Sequence, residues 1–192
     1  MPGQPLPTRL RMIHPLDNLR AEHCLVARAG LALSGVATAV LAGVPFPAAE
    51  TALLLRFLRD FVIAVHLHKE ATWVWPAIVM RGEEAAAIAA GEVARLHEEA
   101  TELIHSLILF WEPGTLSPAE CEGFFATVQA LQDRLKRMTR IEESILFPAC
   151  EKVVPADDLL DWADNFAQLE RERGRVSSWQ RTLNDVMTHW AT

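Results

Sequence analysis

The chain has 192 residues, 51% of them hydrophobic, and its 18 Lys and Arg stand against 25 Asp and Glu for a formal net charge of −7. A chain of this size forms one domain, two at most, and buries roughly 70% of its unfolded surface, so disorder is excluded as its main state. The acidic balance and the lack of a basic run exclude the electrostatic footprint of a nucleic-acid binder.

Residues 1–13 lack the apolar stretch of a secretory signal and are expected to form a short N-terminal arm. The three cysteines, Cys24, Cys121 and Cys150, are odd in number, widely spaced and without a CxxC, which fits a reducing compartment and a cytoplasmic location. The longest uncharged stretch, Ala29 to Ala49, is interrupted by Gly30, Gly35, Gly43, Pro45 and Pro47, so no membrane association is expected.

Between a few Pro and Gly clusters the apolar residues recur every three or four positions, the helical period. This spacing predicts helices at about 15–42, 47–80, 84–111, 118–151 and 156–190. The fourth opens on Ser117, Pro118 and Glu120, a capping box with proline at the first helical position. The expected fold is all-α: an up-down antiparallel four-helix bundle over 14–152 with an additional amphipathic C-terminal helix over 153–192. That last helix carries Leu159, Trp162, Phe166, Trp179, Leu183 and Val186. The stripe is expected to pack on its own bundle, with a homodimer interface as the other reading.

The chain also repeats itself. His66-Leu-His-Lys-Glu70 running into Trp75-Pro76-Ala77 matches Met138-Thr-Arg-Ile-Glu142 running into Phe147-Pro148-Ala149 at an offset of 72. One histidine precedes each copy, His23 and His97. In an antiparallel hairpin two residues equidistant from the turn share a height. The midpoints of His23 with His66, His66 with His97, and His97 with position 138 all fall on or beside predicted turns. His66 with Glu70, and position 138 with Glu142, are i,i+4 pairs that share a helix face.

Three imidazoles and two carboxylates are therefore expected at one level of an apolar interior, with Met138 where the repeat asks for a histidine. Two buried carboxylates need a positive partner, and with no Lys or Arg expected on that face the partner is a metal ion. Nitrogen and oxygen donors without thiolate suit iron, manganese or zinc. The expected ligands are His23, His66, Glu70, His97 and Glu142. Glu143, about 100° around the helix from Glu142, is a backup ligand. His105 is expected to be structural or pocket-lining, His68 exposed, Cys24 a buried inert thiol, and His14 and His189 without function.

These residues carry a family resemblance. His23, His66-x-x-x-Glu70 leading into Trp75-Pro76, His97, and x-x-x-Glu142 leading into Leu146-Phe147-Pro148 together resemble the hemerythrin-like, or HHE cation-binding, family over about residues 14–152. The resemblance implies a left-handed up-down bundle and a non-haem di-iron centre bridged by the two Glu. It also implies a role in binding or sensing O2 or NO, or in handling iron. Two positions depart from the family: Met138 replaces its fourth-helix His, and Thr101 stands where oxygen-carrying members have a second third-helix His. A weak second iron position is the expected consequence. Two other readings are an enzyme on the same scaffold, reducing peroxide or repairing Fe-S clusters, and a degenerate structural member with one zinc or no metal.

Overall fold

A computed structural model of the chain describes residues 14–191; the expected N-terminal arm lies outside the described residues. The first helix, α1 (Pro15–Leu41), starts with proline at its first position and Asp17 in its first turn, where the missing N–H costs nothing and a negative charge meets the positive helix end. It stops at Gly43, whose φ of 92° is accessible without a Cβ. The second rod is α2 (Ala48–Phe57), two π-helical stretches (Leu58–Leu67 and Glu70–Val74) and α3 (Trp75–Arg81). It is one continuous helix of changing pitch. A two-residue link leads to α4 (Glu84–Trp111).

The fourth rod opens with a 3-10 turn (Pro118–Glu120), followed by α5 (Cys121–Ile141), a π-helical turn (Glu142–Leu146) and α6 (Phe147–Val153). The expected capping box is present, with the Ser117 backbone N–H donating to Glu120 Oε2 at 2.8 Å. Among the described residues there is no strand, as the helical periodicity predicts.

The expected single C-terminal helix is two: α7 (Ala156–Arg173) and α8 (Val176–Trp190). Gly174 breaks it with a φ of 127°. Arg171 and Arg173 in the preceding turn followed by glycine are a helix-stop signal, and the apolar stripe running past it concealed the break. α8 packs on α1 and α2, α7 packs on α1 and the first π-helical stretch, and Trp162, Phe166, Leu183 and Met187 are buried there. α1 is long and apolar enough to cross a membrane, with a mean hydropathy of 1.8 over its best window, yet half of that window is buried inside the fold. It also carries buried Glu22 and His23.

The rods enclose two apolar cores. One contains Leu25, Val26, Phe57, Phe61, Val65, Leu96, Leu135 and Met138. The other contains Leu16, Leu19, Val74, Ile78, Val93, Leu146, Phe147 and Phe166. On each rod the boundary between the cores carries a buried polar side chain: Glu22 and His23 on the first, His66, Lys69 and Glu70 on the second, His97 on the third and Glu142 on the fourth. Apolar packing above and below thus holds a polar belt across the molecule.

Candidate metal centre

Each rod enters the belt at a place set by its sequence. His23 follows Leu16 and Leu19 by one to two turns and precedes Val26 by one, so it shares their inward stripe. Glu70 and Glu142 each begin a π-helical turn. His97 lies midway along α4, on its buried face with Val93 and Ala100.

The five expected ligand side chains converge. His23 Nε2 lies 3.4 Å from Glu70 Oε1 and 3.2 Å from Glu142 Oε2. His97 Nε2 lies 3.1 Å from Glu70 Oε2 and 3.6 Å from Glu142 Oε1. His66 Nε2 lies 3.7 Å from Glu70 Oε1. Each carboxylate therefore spans between imidazoles of different rods. His23, His66 and Glu70 form one group of mutually close donor atoms, Glu70, His97 and Glu142 another, and Glu70 belongs to both.

The nitrogens facing away from this centre are also held. His66 Nδ1 donates to Glu22 Oε2 at 2.9 Å, and His23 Nδ1 is paired with Glu143 Oε1 at 2.9 Å. An imidazole whose Nδ1–H is bound to a carboxylate points its Nε2 inward, so that once the Nε2 proton is displaced its lone pair faces the centre, as a metal requires. The His23 ring stacks on Phe147 with centroids 5.5 Å apart, and Trp75 meets His97 edge-on at 4.3 Å. These contacts fix ring planes.

Behind Glu22 sits a charged residue that sequence reasoning excluded from this region. Lys69 is fully buried. Its ammonium donates to Glu22, to Asn18 Oδ1 at 2.8 Å and to Glu170 Oε1 at 2.7 Å, and it lies 4.8 Å above the Phe166 ring. The expectation that no Lys or Arg shares the face is thus corrected: Lys69 is three residues after His66, on the same side of the rod. Lys69 nevertheless cannot balance the centre, because its partner there is Glu22. Glu70 and Glu142 remain buried without a basic side chain of their own.

The centre compensates with protons. Burial, the strongest influence on His23 and His97, opposes their charge. Glu142 and Glu70 outweigh it, holding His23 well above the ordinary imidazole range and raising His97 to about 9. Burial likewise pushes Glu70 up, but His66, His23 and His97 hold its carboxyl well below the ordinary range. Even so, Glu70 Oε2, Glu142 Oε1 and His97 Nε2 are buried without a hydrogen-bond partner. Buried polar atoms without partners are costly. A cation among them satisfies all three, and three nitrogens with two carboxylates form a donor set suited to one.

The profile of the Hemerythrin HHE cation binding domain matches residues 14–150. The chain belongs to the hemerythrin HHE cation-binding family. No curated protein and no solved structure matches it. Membership of this family makes the chain a cation-binding protein, and the His and Glu groups are compatible with that role.

The remaining expected positions fall around the centre. Met138 is buried in the larger apolar core. Glu143 is 45% exposed and approaches the outer nitrogen of His23, so it orients that ring from outside. Thr101 is partly buried and lines a groove of about 480 Å³ with Ile63, Leu67, Trp75 and His97. His68 is exposed, as expected. Two expectations are corrected: His105 is exposed and lines no part of this groove, and Cys24 is exposed because one residue of helix turns it away from the face of His23.

Sequence reasoning missed Glu22, Lys69, Asn18 and Glu170. Glu22 and Lys69 each directly precede a named ligand, and their midpoint falls between Pro45 and Phe46, on the same turn as that of His23 and His66. The equidistance test would have found this pair. For Glu170 the sequence offers no comparable signal.

Proposed function

We propose that this chain is a hemerythrin-like protein in which His23, His66, Glu70, His97 and Glu142 hold a non-haem iron centre, and that it binds or senses a small diatomic molecule, O2 or NO. The proposed arrangement is an up-down antiparallel four-helix bundle in which Glu70 and Glu142, each reaching imidazoles of different rods, would help to hold up to two irons. A second iron would be held more weakly, because Met138 brings a thioether where the repeat calls for an imidazole. The observation that carries this reading is the convergence of three imidazoles on two carboxylates with three buried donor atoms left unpartnered.

Bound iron would supply a redox-active Lewis acid with an exchangeable position for the diatomic ligand. The chain's own residues do the rest. Glu70 and Glu142 provide the anionic oxygens, Glu22 and Glu143 fix the imidazole tautomers, and the apolar cores on either side exclude bulk water. The groove bounded by Thr101 and Trp75 gives a small ligand a path toward His97.

The test is metal analysis of the purified protein by mass spectrometry, with absorption spectra recorded anaerobically, after air and after NO. Iron at one to two atoms per chain and spectra that change with either gas support the reading. Zinc alone, or no metal, with spectra indifferent to both gases, refutes it.

A further inference from the structure

We infer that α7 forms an outer wall of the metal centre and that its Glu170 is a positioning residue for the ligand His66, so that cation binding and the docking of α7 strengthen one another. The inference rests on the metal-centre reading above. Its starting point is the hydrogen-bond inventory of Lys69. An ammonium has three donors, and all three are used: Glu22 and Asn18 from α1, Glu170 from α7. Asn18 Nδ2 also donates to Glu170 Oε1, at 2.9 Å. One chain of contacts thus runs from α7 through Lys69 and Glu22 to His66 Nδ1.

Glu22 is shared. One of its oxygens accepts from His66 and the other from Lys69. The negative charge it can offer the imidazole depends on how far Lys69 is neutralised elsewhere, and Glu170 does that. Without the Glu170 charge the ammonium keeps Asn18 but has Glu22 as its one remaining anionic partner, so the His66 N–H is polarised less and its Nε2 becomes a poorer donor. One negative charge near the cation is lost as well. Both effects weaken cation binding. Removing the direct outer partner of a ligating histidine costs about 10–100-fold in metal affinity, and Glu170, two contacts further out, is expected at the low end of that range.

α7 is also seated by apolar contacts in the same place. Phe166 meets Trp73 edge-on at 5.3 Å, and Phe166 and Trp162 belong to the core that borders the belt. α7 (Ala156–Arg173) lies beyond the residues matched by the family profile. The coupling therefore lies outside the part of the chain that the family profile describes. Linkage makes it reciprocal: if docked α7 tightens the cation, the cation tightens α7 by the same factor.

The experiment uses Co(II) as the probe, with its absorption bands reporting ligand geometry. It compares the full-length protein with Glu170→Gln and with Asp164→Asn, which removes an exposed charge from the same helix. Glu170→Gln is expected to bind Co(II) about tenfold more weakly, with shifted bands, while Asp164→Asn matches wild type. Hydrogen exchange of the α7 amides in the wild type is expected to slow about tenfold on Co(II) binding. Wild-type affinity and bands in Glu170→Gln overturn the inference, and so does α7 exchange in the wild type that is indifferent to Co(II), a measurement that needs no variant to fold. A wild-type protein that takes up no Co(II) removes the centre itself, and that result is distinct from either.

Discussion

Glu70 and Glu142 stand 72 residues apart, and each begins a π-helical turn that ends four residues later, at Val74 and Leu146. In the first, the Trp75 N–H donates to the carbonyl of Glu70; in the second, the Phe147 N–H donates to that of Glu142. The sequence repeat is therefore also a repeat of backbone pitch. Its cause follows one residue on. Pro76 and Pro148 have no N–H, and in an α-helix their rings would press on the carbonyl four residues back. A widened turn relieves that contact and places a ligand carboxylate at its start.

Replacing Pro148 by Ala should accordingly stabilise the metal-free protein and weaken cation binding. A proline inside a helix costs about 3 kcal/mol, of which the π turn recovers a part, so a gain of about 1 kcal/mol is expected. Relaxation toward α geometry would rotate Glu142 away from His23 and His97. Urea melts of the metal-free proteins and parallel Co(II) titrations check this, and a variant that binds as tightly as wild type would show that Pro148 does not set the carboxylate.

How much of this was legible beforehand depended on whether a residue's role followed from spacing. His23, His66, His97 and the two Glu were legible because helical period and equidistance from turns are arithmetic on the chain. The π turns were not, because the apolar pattern through Val74 and Leu146 is read equally well by an α template. The break at Gly174 was written in the sequence, but the apolar stripe on either side of it masked it. Glu170 meets Lys69 only through the tertiary placement of α7, a contact 101 residues apart in sequence.

Glu70→Gln and Glu142→Gln keep volume and remove one charge each. Each carboxylate spans between two rods, and each has an oxygen without a hydrogen-bond partner. Both variants should lose at least tenfold in cation affinity and bind less metal per chain. Metal content and titration decide. Full stoichiometry with unchanged spectra in either variant would remove that residue from the ligand set.

Metal should cancel the loss of stability that the metal-free protein shows as pH rises. In the metal-free protein His23 and His97 are held above their ordinary value near 6.5. Their stabilising effect is therefore complete below that value and is lost as pH rises, for His97 through about 9. Glu70 is held below its ordinary 4.5, so its contribution is present above 4.5 and fades only in stronger acid. The metal-free protein should be most stable between about 4.5 and 6.5 and should weaken toward 9. A cation needs both imidazoles neutral and displaces their protons, so its affinity should rise with pH by up to about tenfold per unit for each proton released. Melting temperatures with and without chelator across pH 5.5 to 9 should diverge as pH rises. A constant gap between the two curves would refute the proton exchange.

The last prediction concerns Met138 and a second asymmetry between the repeats. In the first half, Glu22 precedes His23 and Lys69 precedes Glu70; in the second, Leu96 precedes His97 and Ile141 precedes Glu142. The two losses are physically linked. A thioether at 138 has no N–H to orient, so a buried Glu at 96 would have no partner there and would cost several kcal/mol. Met138→His alone should raise the metal content toward two per chain, but with a loosely held ring and weak second-site affinity. Leu96→Glu alone should destabilise the fold, since Leu96 is buried and its replacement brings an unpaired charge. Together they should recover more than the sum of the single changes, because the new carboxylate and the new imidazole satisfy each other as Glu22 and His66 do at 2.9 Å. Iron titration of the wild type, both single variants and the double variant measures the coupling. If Met138→His binds the second ion no better than wild type, and the double variant shows only additive effects, then position 138 is not where the second metal lacks its ligand.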